Sequence, residues 1–261
     1  MTKKKAKKNE PLKVLIVGDT HIEPGQDLRR FEWLSRCIEA TKPDHVIIIG
    51  DWVSMNSLSS FDKKGGKQLE GTRVREDAEI GAEALAMIQQ QPDDKWKYSV
   101  HFIEGNHEYR IKRWWENDAQ MEGLCDLAEM YKPFLASYTS YGEYLWLRDV
   151  GFTHIPFNKV GPIASSGFTT SIAQKVSILA ARSIFFGHSH ILDIGRQQRL
   201  GAPNPIYAVN VGCFFEPHQD PHYSHLGLTD WWRGVIMAEI MDDSTFDIST
   251  LSLTRMEQLY G

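Results

Sequence analysis

Four short apolar runs stop at a glycine, and each is followed at once by side chains that bind metals. Val14–Val17 runs into Gly18-Asp19-Thr20-His21, and Val46–Ile49 into Gly50-Asp51. Val100–Ile103 leads through Glu104 to Gly105-Asn106-His107-Glu108, and Ile184–Phe186 leads to Gly187-His188-Ser189-His190. Runs this short and this rich in β-branched or aromatic residues read as central strands of a sheet covered on both faces. Ligands in such sheets gather just beyond the carboxyl ends of the strands. Glycine lets the backbone turn there where a side chain would obstruct it. The pattern therefore predicts one polar cluster assembled from strand ends that lie far apart in the chain.

The stretches between these runs set the architecture. Leu12–Val17, a helix after Asp27 (read as its N-cap), and His45–Ile49 form a strand-helix-strand unit, which implies a parallel pair with a right-handed crossover. Trp52–Gly71 has little periodicity and reads as a loop of about 20 residues forming one wall of a cleft. Thr72–Gln91 and Gln120–Tyr131 read as helices. Tyr144–Leu147 and Val150–Ile155 read as a hairpin, with His154 near the end of its second strand. Lys159–Thr170 reads as loop, Ile172–Ala181 as helix and Ile206–Val211 as strand. Gly234–Met241 and Phe246–Leu253 form a closing antiparallel pair. Residues 1–10 read as a flexible basic tail and 11–261 as a single domain.

Composition narrows the setting. A net charge of -5 gives no global attraction to nucleic acid or to an anionic membrane. No apolar run approaches the ~20 residues that span a bilayer. Cys37, Cys125 and Cys213 are widely spaced and include no C-x-x-C pair, which suits reduced thiols in the cytoplasm. The sequence sets no oligomeric state.

The candidate ligands are Asp19, His21, Asp51, Asn106, His154, His188 and His190. They are imidazoles, carboxylates and an amide, without thiolate. Such mixed nitrogen and oxygen sets suit Mn, Fe, Zn, Ni or Co. Seven groups exceed what one four-coordinate ion needs and fit two divalent ions about 3.5–4 Å apart. A hydroxide held between two such ions attacks phosphorus in line while the metals clamp the phosphoryl oxygens. Other histidines read differently. His45 and His101 sit in or beside strands and read as structural. His218, His222 and His225 offer a second metal site or, because Pro217 and Pro221 exclude a regular helix, a surface loop over the cleft.

The ordered series Asp-x-His, Gly-Asp, Gly-Asn-His-Glu, a lone His and Gly-His-x-His resembles the calcineurin-like metallophosphoesterases. Here it is carried by Asp19 and His21, Gly50-Asp51, Gly105–Glu108, His154, and Gly187–His190, over residues 12 to about 212. The resemblance implies an α/β fold, a four-layer α/β/β/α sandwich. It implies that Asp19, His21, Asp51 and His190 bind one metal, manganese being favoured. Asp51 bridges to a second metal held by Asn106, His154 and His188. His107 is then not a ligand; it stabilises the transition state or protonates the leaving oxygen. The family's second motif usually carries a further acid that orients this histidine, and Ser54 stands in that place. Asp62 and Asp77 are the alternative partners for His107. An arginine that holds phosphate in the protein-phosphatase branch is replaced by Met55, which argues against a phosphoprotein substrate.

These features lead to a phosphodiester substrate, with DNA or RNA expected. His107, the basic and aromatic stretch Arg110–Trp115 and the lysine-rich tail support it. The same stretch also reads as an amphipathic helix with its tryptophans in the core. A small-molecule phosphatase or cyclic-nucleotide phosphodiesterase is the alternative, and a metal-binding scaffold without turnover is a rival of another class.

Overall fold

The protein is described by a computed structural model at residues 10–59, 69–89, 96–163, 171–219 and 230–261. The basic tail, Asp62, His222 and His225 lie outside the described residues, as do parts of the two expected loops.

Two sheets stack face to face. The first contains β1 (Leu12–Val17), β2 (His45–Ile48), β3 (Ser99–Ile103), β4 (Ser137–Thr139), β12 (Gly234–Ile240) and β13 (Phe246–Ser252). Its order is β13-β12-β1-β2-β3-β4, with β1 to β4 parallel. The second contains β5 (Leu145–Leu147), β6 (Val150–Thr153), β9 (Ile184–Phe186), β10 (Leu192–Gln197) and β11 (Ile206–Val211), in the order β10-β11-β9-β6-β5. Strands β6, β9 and β11 are parallel there. A short ribbon pairs β7 (Phe157–Asn158) with β8 (Gly161–Pro162).

The continuous apolar runs follow from burial on both faces of each strand. Successive side chains alternate faces. Val14, Ile16, Ile47 and Ile49 pack between the sheets against Phe152, Phe185 and Val209. Leu15, Val17, Val46 and Ile48 face the other way, onto α1 (Arg29–Thr41), α2 (Val74–Ile88), α4 (Leu127–Tyr131) and α6 (Leu253–Tyr260). On the far side, Ile172, Ala173 and Val176 of α5 (Ile172–Leu179) cover Ile184, Phe186 and Ala208. The layers are thus α/β/β/α, as expected.

Several local readings differ. Helix α1 begins at Arg29 with Leu28 at its N-cap position, and the Asp27 carboxylate accepts the Arg29 N–H at 2.9 Å instead of capping. Gln120–Tyr131 is not one helix: Gly123 takes a left-handed φ of 79°, and α4 starts only after Asp126, whose carboxylate accepts the N–H groups of Ala128 and Glu129. Trp52 is no cleft wall; it is wholly buried, and its indole donates to the Gly81 carbonyl at 3.0 Å. Strands β4 and β10 and helix α6 were not expected. β10 is an edge strand with polar residues and a half-exposed Ile194, so it carries only a weak apolar signal.

Candidate metal centre

Both sheets place carboxyl ends at the same edge. Asp19 and His21 leave β1, Asp51 leaves β2, Asn106 and His107 leave β3, His154 leaves β6, and His188 and His190 leave β9. The backbone of the two sheets is joined here: Asp19 bridges to Cys213, and the Phe214 N–H donates to the Asp19 carbonyl at 2.6 Å. The exits are tightly turned. His21, Asp51, His188 and His190 all hold left-handed φ values of 45°, 48°, 74° and 61°. A non-glycine residue in that region is strained, and such strain clusters at functional sites.

All seven expected ligands come together. His190 Nε2 lies 3.1 Å from an Asp19 oxygen and 3.0 Å from His21 Nε2. His154 Nε2 lies 3.3 Å from Asp51 Oδ2 and 2.9 Å from Asn106 Oδ1, and His188 Nδ1 is 2.8 Å from the same Asn106 oxygen. Asp51 Oδ2 is also 3.8 Å from His21 Nε2 and 3.9 Å from His107 Nε2. Potential ligand atoms fall into sets that share His21 and Asp51: Asp19, His21 and His190; His21, Asp51 and His107; Asp51, His154 and His188. Asp51 stands between the first and third sets.

The arrangement fits cations. His21 Nδ1 is buried without a hydrogen-bond partner, while its Nε2 faces His190 Nε2. Two ring nitrogens facing each other at that distance have at most one proton to share and otherwise oppose lone pairs. Donor atoms about 3 Å apart match ligands bound at about 2.0–2.1 Å to one ion. The residues therefore suit a pair of divalent ions sharing Asp51.

For Asp51, His21 and His188 local charge points the same way. Burial alone would raise the Asp51 carboxyl, but His154, His107 and His21 reverse this and hold it well below the usual carboxylate range. Burial, then His107, holds His21 well below the ordinary imidazole value, with Asp51 opposing. Burial and His154 lower His188. For His154 burial is outweighed by Asp51, Asp19 and Glu108, which raise it to about 9.

His107 differs from its neighbours. Its Nδ1 is 2.7 Å from the Ser54 carbonyl oxygen, and its Nε2 is 3.4 Å from Arg110 Nη2. A guanidinium beside Nε2 disfavours a metal ion on that nitrogen, although the ring lies within the ligand sets. Asp77, one expected partner, instead accepts the backbone N–H and hydroxyl of Ser57 at 3.1 and 2.5 Å.

A family model described as calcineurin-like phosphoesterase matches residues 12–192. The chain belongs to that family. This metallophosphoesterase is a hydrolase of phosphoric ester bonds, in a family that uses two metal ions. No curated protein matches the chain. Among solved structures, the phosphoesterase Yfce from E. coli is 16% identical, with 92% of this chain and 99% of that chain covered and a TM-score of 0.40. The nuclease MPE of Pseudomonas putida is 11% identical, with coverages of 87% and 84% and a TM-score of 0.33. No helix among the described residues is long and apolar enough to cross a membrane.

Two features of the metallophosphoesterase site had no role in the sequence reading. Glu108 accepts three backbone N–H groups from inside the site. Phe215 and Trp231 stack edge-on against His190, with centroids 5.5 and 4.8 Å away. The stretch Arg110–Trp115 is not one basic surface. It lies in α3 (Arg110–Asn117), where Arg110 and Ile111 are buried, Lys112 pairs with Glu104 at 2.7 Å, and Trp115 packs on the core.

Proposed function

We propose that this phosphoesterase hydrolyses phosphodiesters and that nucleic acid is its substrate class. Two divalent ions at this site would acidify a water and polarise the phosphoryl oxygens, and manganese is proposed among the ions that a mixed nitrogen and oxygen donor set accepts. Asp19, His21, Asp51 and His190 would hold one ion, and Asp51, Asn106, His154 and His188 the other. Asp51 takes part in both because its Oδ2 approaches both halves of the set. His107 lies in the interior beside Asp51, where its ring, once Nε2 has taken up a proton, would stabilise charge on, or pass that proton to, the leaving oxygen.

The observation that carries the diester reading is the position of Met55. Its side chain is wholly buried in the core and offers no charge to a substrate. Arg110, beside His107, is committed to the backbone carbonyls of Ser54 and Met55. A phosphomonoester dianion calls for more cationic side chains than this; a diester carries a single negative charge. A polymer substrate is supported by the five lysines within residues 1–8 and by exposed Arg113 on α3.

The test compares Mn²⁺-dependent turnover of bis-p-nitrophenyl phosphate, p-nitrophenyl phosphate, 2′,3′-cyclic nucleotide and plasmid or single-stranded DNA. Diester turnover with DNA cleavage that weakens as salt rises is expected. Turnover of the monoester alone would overturn the diester reading. Cleavage of the small diesters with DNA left intact would overturn the nucleic-acid reading.

A further inference from the structure

The ring of His107 is held by a backbone carbonyl and an arginine. Ser54 O accepts from His107 Nδ1 at 2.7 Å and from Arg110 Nη1 at 2.9 Å. Met55 O accepts from the same Arg110 nitrogen at 3.3 Å. Arg110 Nη2 then lies 3.4 Å from His107 Nε2. Both side chains sit in the interior, each at 8% exposure.

The local chain is shaped to make this possible. Met55 has a φ of 45°, a strained value for a residue other than glycine, and the carbonyls on either side of its α-carbon both reach one guanidinium nitrogen. The Arg110 N–H donates to the His107 carbonyl at 3.2 Å, so the two side chains leave the chain three residues apart, one turn from each other. A guanidinium is only a donor. The nitrogen facing it therefore presents its lone pair, and the other nitrogen, Nδ1, carries the proton that Ser54 O accepts. The two contacts select the same tautomer, although the 3.4 Å one is long for a hydrogen bond.

We propose that Arg110 is a positioning residue for His107. Braced on the carbonyls of Ser54 and Met55, its guanidinium fixes the tautomer and the direction of the ring, work that a carboxylate at Nδ1 would otherwise do. The proposal rests on His107 acting in turnover, as proposed above.

A double-mutant cycle tests it, with bis-p-nitrophenyl phosphate as substrate and Mn²⁺ as metal. Arg110→Met is expected to lower kcat about 10–100-fold, the usual cost of losing an orienting partner, with KM and bound Mn²⁺ little changed. In a His107→Ala background the same substitution should cost nothing further. Guanidinium at low millimolar concentration should restore part of the rate to Arg110→Ala. If Arg110→Met does not fold, Arg110→Lys replaces it in the cycle, since lysine keeps the charge but lacks the fork. An equal loss in both backgrounds, or a rise in KM with kcat intact, would overturn the proposal in favour of an independent role. Full turnover by His107→Ala would remove the role of His107 itself and this inference with it, leaving diester hydrolysis untouched.

Discussion

Glu108 ties the exit of β3 to the exit of β2 by holding Asp51 through its backbone. Glu108 Oε2 accepts the Asp51 N–H at 3.0 Å and the Gly105 N–H at 2.8 Å, and Oε1 accepts the Val53 N–H at 3.0 Å. Burial first, then the Asp51 charge, pushes its carboxyl up to about 8, while the N–H groups pull the other way. Alanine here strands three buried donors, each costing about 1–3 kcal/mol. Glu108→Ala is therefore expected to lose at least about 3 kcal/mol in urea unfolding and to bind Mn²⁺ more weakly. Glu108→Gln, which keeps one acceptor oxygen, should fall between. An alanine variant with the wild-type midpoint would show that this carboxylate does not hold the two exits together.

Gly105 meets Asp51 at the same junction. A Cβ on residue 105 would lie 2.2 Å from the Asp51 nitrogen and 2.3 Å from its Oδ1. The first of these is backbone held in the tie to Glu108, so it has little room to give. Gly105→Ala is expected to displace Asp51 and weaken Mn²⁺ binding about tenfold or more, measured by calorimetry. Unchanged affinity would mean the junction relaxes without moving the carboxylate.

The strand ends were legible in the sequence because the signal is local: apolar run, glycine and ligand type are contiguous at β1, β2, β3 and β9. Cover on both faces was legible for the same reason, since uninterrupted runs such as Val46–Ile49 need it, whereas the α/β/β/α order came only from the resemblance that the motifs carry. The partner of His107 was not legible. A backbone carbonyl has no residue type, so Ser54 signals nothing about it, and the search for a carboxylate led to Asp77, which serves Ser57. The stretch Arg110–Trp115 left two readings open, a basic surface and an amphipathic helix, because a basic and aromatic run has the same composition whether its cations face solvent or, as for Arg110 and Lys112, are engaged by carbonyls and Glu104. Helix α6 was missed because Phe246–Leu253 reads as strand up to Ser252, whose hydroxyl accepts the Arg255 N–H and starts the helix.

His107 and Asp51 touch the same space but are expected to fail differently. His107→Ala should keep both Mn²⁺ ions and lose about 10²–10⁴ in kcat. Asp51→Asn removes the carboxylate shared by the two halves of the ligand set and should lose metal along with rate. Metal content by emission spectrometry, beside the kinetics, separates the two. Loss of Mn²⁺ from His107→Ala would make that ring a ligand and contradict its role outside the ligand set.

Towards the amino ends of β2 and β3, away from Asp51, a second pair of imidazoles makes the protein sensitive to acid. His45 Nδ1 lies 2.8 Å from His101 Nε2, and His101 Nδ1 lies 2.7 Å from the Ser137 hydroxyl. Burial, then His45, pushes His101 down to about 4. The unfolded chain takes up this proton near ~6.5, whereas the folded chain refuses it until about 4. Between those values the unfolded state binds more protons, so the contribution of His101 is intact above the window and is lost as pH falls through it. The expected loss is on the order of 1–3 kcal/mol. His21, His107 and His188 are also lowered and act in the same sense when no metal is bound, so the measurement is a difference. His101→Asn should lose less stability than the parent between pH 7 and pH 4.5 in urea unfolding of the metal-free protein. Parallel pH profiles for the two proteins would mean that His101 titrates normally in the folded state.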